Sequence, residues 1–547
     1  MSEFNLKTGE ETQIDPTSKL AGSQKSPTEK DNPVKKLIER RHPEYVDQLK
    51  HWGFLEDTYN GGRDWFKSNI FRYMKEGDKE FADRLSRAYR FNHTREVVDL
   101  LNKYIFKQNI ERGVDNAPDS VKNFWEKSTK NGLGIKDLSR QISKKSSIYG
   151  RVGIVVDSTM PDHGAISKAE AKKLDVKTYA YIITPQQMLD YAYDDEGNLN
   201  WILIEEHIRD DKDPMLSSGE GKIQYRLWTT TYWALYEKIK KAGKKVAYQE
   251  VGRGEHSLGI VPVVIADNTI SDEDYSSPSL IGDIAYLDRA VGNYLSNLDA
   301  IIQDQTFSQL AMPAQNTLAE DDAKTKLLEM GTKRVFLYNG ENGAAPFFLS
   351  PDPKQAAIIL QTVNKIVNEI YHTVGLAGER TKQDNAMGID NSSGVAKAYD
   401  FERVNALLSA KADSLEVVEN KIAKIVALWN GEEGDIKGDL VTYPDDFDTR
   451  GLYDEFDIAA RLMLIEAPDK IRQEQMSMVL DKLFPQIKTS KRDDLEKSLT
   501  DWPTDQFTSA QMSMNSAETV STTIGLDKSN AQGSNQQTKQ DQQDSKR

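Results

Sequence analysis

Apolar residues recur along this chain with two different periods, and the change of period marks its parts. From 34 to 147 the spacing is helical. In "KEFADRLSRAYRFNHTREVVDLLNKYIF", Phe81, Leu85 and Ala88 share one face, and Val97, Leu101, Tyr104 and Ile105 share another. From 148 to 268 β-branched and aromatic residues take over, in "RVGIVVD", "TYAYIITPQQMLDYAYDDEGNLNWILIEEHI", "QYRLWTTTYWALYE" and "GIVPVVIAD", with "DDEGN" as a hairpin turn. This stretch predicts a mostly antiparallel sheet.

The helical period then returns in three long segments. In "PSLIGDIAYLDRAVGNYLSNLDAIIQDQTF", Ile284, Leu287, Val291, Leu295, Leu298 and Ile302 form one stripe. In "KQAAIILQTVNKIVNEIYHTV", Ala356, Ile359, Val363, Ile366 and Ile370 form a second. Between them, 307–350 predicts a small α/β insert, with "DDAKTKLLEM" helical and "KRVFLYNG" and "PFFLS" as strands. Two striped helices bracketing such an insert predict a stalk with a cap. The third helix carries Leu415, Val418, Ile422, Ile425 and Trp429 in a 3-4 seam. Beyond it lies an acidic, helix-rich module containing "IAARLMLIEAPDKIRQEQMSMVLDKLF" and "RDDLEKSLTDW". Both ends, 1–33 and 504–547, are too polar to bury a core and are expected to be disordered. There is no repeat at solenoid period.

Composition removes several kinds of chemistry. The chain of 547 residues has 86 acidic and 71 basic side chains, a formal charge of −15. That argues against a simple basic grip on nucleic acid and leaves room for a local basic ring. It has no cysteine, so disulfides, thiolate metal sites and a cysteine nucleophile are excluded. The histidines are scattered without ligand spacing, so no zinc or di-iron site and no cofactor is predicted. No apolar run approaches the roughly 20 residues that span a bilayer, and the start shows no signal-peptide pattern. The expectation is a soluble protein made in a cytoplasm.

The glycine-rich loop from Thr381 that runs straight into the third helix resembles a phosphate cradle, because helix N-terminal amides bind anions. It lacks the Lys-Ser/Thr pair and the preceding strand that a P-loop needs. Gly221-Lys222 is followed by Ile223 and Gly243-Lys244 by Lys245, so neither qualifies either. "NGENGAA", Asn339 to Ala345, lies between two predicted strands and reads as a hairpin loop. The acid pairs Asp194–Glu196, Glu205–Glu206, Asp321–Asp322 and Asp445–Asp446 could serve hydrolytic or metal-assisted chemistry, but they fall in turns or on polar faces where solvation explains them. No catalytic residue is assigned. Trp52, Tyr59, Trp65, Phe66, Phe71 and Tyr73 read as a packing cluster rather than a base-stacking platform. Arg84, Arg87, Arg90 and Arg95 fit either a phosphate face or ion pairs with acids on an adjacent subunit.

The order of these parts resembles the portal (head–tail connector) proteins of tailed double-stranded DNA bacteriophages across nearly the whole chain. The stretches that carry the resemblance are "HWGFLEDTYNGGRDW…DRLSRAYRFNHTREVVDLLNKYIF", "FWEKSTKNGLGIKDLSRQISKKSSIYGRVGIVVD", the aromatic strands, and "HSLGIVPVV" before the first long helix. The resemblance implies an α+β, mainly helical portal fold. Its wing would be 34–276, its stem helices 277–306 and 351–375, and its clip 307–350. A tunnel loop, long tunnel helix and returning wing would occupy 376–450, and a crown 451–503. It further implies a non-enzymatic homo-oligomeric ring, usually a dodecamer, at one vertex of the virion. Double-stranded DNA would pass through it. Its partners would be the terminase large subunit, head-completion or adaptor proteins, and the major capsid and scaffold proteins, with no membrane. Around the tunnel loop, Arg380, Lys382, Asn391, Ser392 and Lys397 would meet DNA, the cations at phosphates and the neutral groups through weak hydrogen bonds. Ser392 or Ser393 also reads as an ordinary helix cap. An acidic surface suits a conduit, since counterion release would otherwise grip the duplex. The alternatives are a carboxylate- or metal-dependent hydrolase or nuclease acting on nucleic acid, or another head–tail adaptor.

Overall fold

The computed structural model describes residues 33–74, 76–159, 176–211, 213–240, 246–272, 275–306, 309–313, 335–338, 345–349, 353–376, 394–445, 447, 462, 468–483 and 489–499, with a two-stranded ribbon of β1 (Glu3–Phe4) and β2 (Glu11–Thr12). The remainder of both polar ends and the helix expected at "DDAKTKLLEM" lie outside these residues. The chain divides into two units, Met1–Asp446 and Phe447–Arg547.

The first unit is an α+β fold. Its helices are α1 (Pro33–Glu39), α2 (Pro43–Asn60), α3 (Arg63–Asn69), α4 (Asp78–Arg87), α5 (His93–Ile105), α6 (Asp119–Glu126) and α7 (Ile135–Tyr149). Local chemistry sets their ends. Pro43 opens α2 behind His42, whose Nδ1 accepts from the Glu44 amide, and Asn92 caps α5 by accepting from the Arg95 amide. The chain turns from α7 into the sheet at Gly150, where φ is +87°. A Cβ there would sit 1.9 Å from the Ser277 carbonyl oxygen, so no other residue fits.

Two antiparallel sheets replace the single one expected. Strands β4 (Arg151–Ser158), β5 (Thr178–Ile183) and β11 (Val263–Asp267) pair in the order β11-β4-β5. The second sheet is a meander of β6 (Met188–Tyr193), β7 (Leu199–Arg209), β8 (Gly221–Thr229), β9 (Tyr232–Lys240) and β10 (Val246–Glu255). The turn at Asp194–Asn198 joins β6 to β7 as expected. Strand β10 has more polar and small residues than the others and gives no clear alternation, so the pattern missed it. Strand β4 is buried on both faces, with Val152, Ile154, Val155 and Val156 wholly covered, which is why it reads as an unbroken apolar run. The short pair β3 (Glu111–Arg112) and β15 (Val441–Thr442) closes the other side of the unit.

Helices α8 (Ile284–Thr306) and α9 (Pro353–Thr373) pack together. They run antiparallel, because the beginning of α8 and the end of α9 meet the same helix start. Asp288 accepts from the amide and hydroxyl of Thr94, while Tyr371 donates to Glu96 and lies 3.1 Å from His93 Nδ1. The predicted stripes are buried at Ile284, Val291, Leu295, Leu298, Val363 and Ile370, whereas Ile302 is exposed. Between the helices, β12 (Gln309–Pro313), β13 (Val335–Tyr338) and β14 (Phe347–Leu349) form a small sheet in the order β13-β12-β14. This corrects the hairpin reading of "NGENGAA". Strands β13 and β14 are not neighbours, because β12 lies between them, parallel to β13 and antiparallel to β14. A strand contributed by residues just after α8 carries too little alternation to announce itself.

The four clustered arginines all find partners within their own chain. Each turns inward to its own chain. Arg84 is buried, forms a two-pronged bond with Glu76 (2.8 and 2.7 Å), and donates to Ser296 of α8 and to the Phe71 carbonyl. Arg87 bridges Asp83 and Asp299, and Arg90 lies 3.3 Å from Asp288 and 3.9 Å over the Trp65 ring. Arg95 donates to the carbonyls of Tyr59 and Asn60. Arg84, Arg87 and Arg90 thus fasten the N-terminal helices to α8. Of the aromatic cluster, Trp52, Tyr59, Trp65 and Phe66 are core, while Phe71 and Tyr73 are exposed.

In the second unit, α11 (Asp469–Leu483) packs on α12 (Thr489–Leu499), and Val479 is buried.

Removing one partner of a buried ion pair strands the other charge. Arg84→Ala is therefore expected to lower the unfolding free energy by about 3–5 kcal/mol. In a double-mutant cycle read by urea denaturation, adding Glu76→Ala should cost far less than it does alone. Additive losses would contradict the pairing.

Candidate functional site

The site residues expected from the sequence surround the start of α10 (Gly394–Asn430). Arg380, Lys382, Asn391 and Ser392 lie outside the described residues, and Lys397 falls on the first turn of α10 by its backbone. The structure therefore speaks to how that region is carried.

Helix α9 ends against α10 at one tight crossing. Gly375 adopts φ +75°, and a Cβ on it would stand 3.2 Å from the Arg403 Cβ and 3.3 Å from the Val404 amide. Glycine is needed here both for the left-handed backbone and for the approach. Arg403 Nη1 lies 3.3 Å from His372 Nε2 across the same crossing. Val404 is buried at the crossing. At about 1.5 Å per residue, the part of α10 ahead of the crossing is roughly 14 Å long, from Gly394 to Arg403.

Behind the crossing, α10 runs across the three-stranded sheet and against α5, α6 and α7. The expected seam of Leu415, Val418, Ile422 and Ile425 is buried, and Trp429 is half-buried with its Nε1–H donating to the Val156 carbonyl. Burial extends well beyond the seam, to Ala412, Ala423, Val426 and Ala427. From 411 to 427 only the line of Asp413, Val417, Lys421 and Lys424 faces out. The helix is a central strut rather than a surface element, which a single-seam reading does not anticipate.

Polar groups inside this packing fix the strut in place. Glu419, almost wholly buried, accepts from Arg112 at both carboxylate oxygens (2.6 and 3.2 Å), from the Ser139 hydroxyl (3.0 Å) and from the Tyr443 hydroxyl (2.8 Å). Burial, and then the Glu419 charge, push the Tyr443 phenol well above its ordinary range, so it stays a donor. Asn420 accepts from the amides of Leu440 and Val441 and donates to the Val441 carbonyl, acting as an extra rung beside β15. Ser414 donates to the Asp267 carbonyl on β11.

Lys411 differs from these. Its amine is buried with neutral partners, Asn268 Oδ1 at 2.7 Å and Ser146 Oγ at 3.4 Å, and no carboxylate pairs with it among the described residues. Burial lowers its pKa to about 7. The sequence offered a signal for both buried ions, because Lys411 and Glu419 interrupt an otherwise apolar helical period.

The carboxylates with possible chemistry are engaged elsewhere. Asp194 accepts from the amides of Glu196 and Asn198 in its turn, and Glu206 accepts from Arg226 and Tyr181, both at 2.9 Å. Asp445 is exposed, while Asp446, Asp321 and Asp322 lie outside the described residues. Among the described residues no group of three His, Cys, Asp or Glu side chains is placed to hold a metal ion, and no helix is long and apolar enough to cross a membrane.

The lysine gives a signed pH prediction. Between about pH 7 and 10.5 the unfolded chain holds the Lys411 proton and the folded chain has released it. This group's contribution to stability therefore rises with pH across that window, and below about 7 the burial penalty is complete. Lys411→Met should be more stable than the parent at pH 6.5, and that advantage should shrink by pH 10. Denaturant titrations of both proteins measure this, and an equal difference at both pH values would contradict it.

No family model matches the chain, and no curated protein does. Among solved structures, it is similar to a chain in the neck of an empty GTA particle, at 10% identity and a TM-score of 0.36 over 74% of this chain and 94% of that one. It is also similar to a chain in the virion of a native gene transfer agent (GTA) particle, at 11% identity and a TM-score of 0.38 over 73% and 92%. Overlap this shallow leaves the function to be argued from the chain itself.

Proposed function

We propose that this chain is a portal subunit: a structural, non-enzymatic protein that closes into a ring at one vertex of a phage-like capsid and lets double-stranded DNA pass. The observation that carries the reading is the unit of α8, the small β13-β12-β14 sheet and α9. Its two antiparallel helices leave and rejoin the body beside the same helix start, so the sheet is carried between their far ends. In a ring this would be stem and clip, the clip being the surface that meets the terminase large subunit and, later, a head-completion or adaptor protein. Capsid and scaffold proteins would surround the vertex.

Two further features support it. Ile302, Ile358 and Leu360 on the helix pair are exposed in the single chain, and neighbours in a ring would cover such positions. The expected tunnel-loop residues directly precede α10 in sequence, and α10 is firmly seated from Val404 onward. In this reading Arg380, Lys382, Asn391, Ser392 and Lys397 touch passing DNA, weakly enough to release it.

Electron microscopy and native mass measurement of the purified full chain are expected to show a closed ring with a central hole. Monomers or dimers alone, at high concentration and across salt, would overturn the reading. Shortening 384–390 is expected to leave the ring intact and to impair DNA packaging or retention. Normal packaging by that variant would remove the tunnel-loop assignment.

A further inference from the structure

Arg289 on α8 is set apart from the other arginines near it. Arg84, Arg87, Arg90 and Arg95 each reach an oxygen atom. Arg289 reaches none: among the described residues its guanidinium meets only rings, with centroids at 4.7 Å for Phe54, 5.0 Å for Tyr286 and 5.4 Å for Phe71. Those contacts hold the half-buried group in place, while its N–H donors keep the fork that matches a carboxylate.

The surroundings have the character of an unfilled interface. Phe71, Tyr286, Tyr73 and Tyr294 are 58%, 43%, 42% and 36% exposed. This surface is braced rather than loose, because Asn293 accepts from the Phe71 amide and Asn297 from the Tyr73 hydroxyl. Exposed aromatic residues around an arginine are the composition of an interaction hot spot.

The charge around the patch argues against a polyanion. His51 stacks on Tyr286, and burial lowers its pKa, so it is neutral at pH 7. Asp283 is close enough to act on His51 electrostatically. Arg84, over the Tyr73 ring, is already paired with Glu76, so among the described residues Arg289 is the cation of this patch left without a carboxylate, whereas nucleic-acid binding calls for a run of cations. A chain with 86 acidic side chains against 71 basic ones presents single carboxylates readily.

We propose that Arg289, held between Phe54, Tyr286 and Phe71, receives a carboxylate from a second copy of this chain, which also covers the exposed aromatic rings. This rests on the ring reading above and names a contact that would hold neighbouring subunits together.

The test uses the full chain, with assembly read in the absence of DNA and duplex-DNA affinity measured separately. Arg289→Glu is expected to raise the dissociation constant for self-association by about thirtyfold or more, read by sedimentation and native mass spectrometry. Arg289→Lys should recover little, since an ammonium lacks the planar fork. Because the chain has no cysteine, Tyr294→Cys can be labelled alone with a benzophenone maleimide, leaving Arg289 and the three rings that hold it intact. Photolysis should give a cross-linked dimer whose joined peptide contains Asp or Glu. Wild-type rings with an unchanged Arg289→Glu ring, or cross-links confined to one chain, would overturn this proposal and leave the ring reading standing. Loss of duplex-DNA affinity in Arg289→Glu with assembly unchanged would overturn it in favour of a phosphate site. A wild-type chain that never self-associates would overturn both.

Discussion

The buried carboxylate of Glu419 is the constraint on which the first unit turns. An ionised group in that position is tolerated only with its hydrogen bonds made. Here the partners come from three separate places in the chain: Arg112 on β3, Ser139 on α7 and Tyr443 just after β15. All of them must converge on one turn of α10 before the helix can be buried. Apolar packing alone would tolerate a helix slid by a turn, but a carboxylate with dedicated donors does not. Asn420, one residue on, binds β15 through three further hydrogen bonds and fixes the same register.

The helix is held by more than its polar groups. Behind Val404 it is largely buried, and at the crossing Gly375 lets α9 close directly onto it. Lys411 lies within that buried stretch with only neutral partners among the described residues, so the strut is firm but not optimised for stability.

Arginine serves two opposite purposes around α8. Arg84, Arg87 and Arg90 cross from the N-terminal helices to serine or aspartate on α8, joining segments about two hundred residues apart. Asp288 receives Arg90 and Thr94 at one oxygen and has none at the other, and burial raises its pKa against the pull of Arg90. These contacts close the fold inward. Arg289, on the same helix, meets no acceptor among the described residues, and two of its three rings, Phe71 and Tyr286, are exposed.

The sequence by itself determined the elements and their order: the switch from helical to strand period near 148, the two striped helices with strands between them, and the seam of Leu415, Val418, Ile422 and Ile425. These follow from spacing, which is local and survives in a single chain. Tertiary structure alone decided that the strands divide into two sheets, that β12 separates β13 from β14, and that four arginines turn inward. It also decided that Lys411 and Glu419 sit inside. Pairing partners and charge partners are distant in sequence, and one charged side chain reads the same whether water or a buried partner will meet it. The candidate DNA-contact residues were legible only as a loop running into a helix, and what the structure added is the seating of that helix.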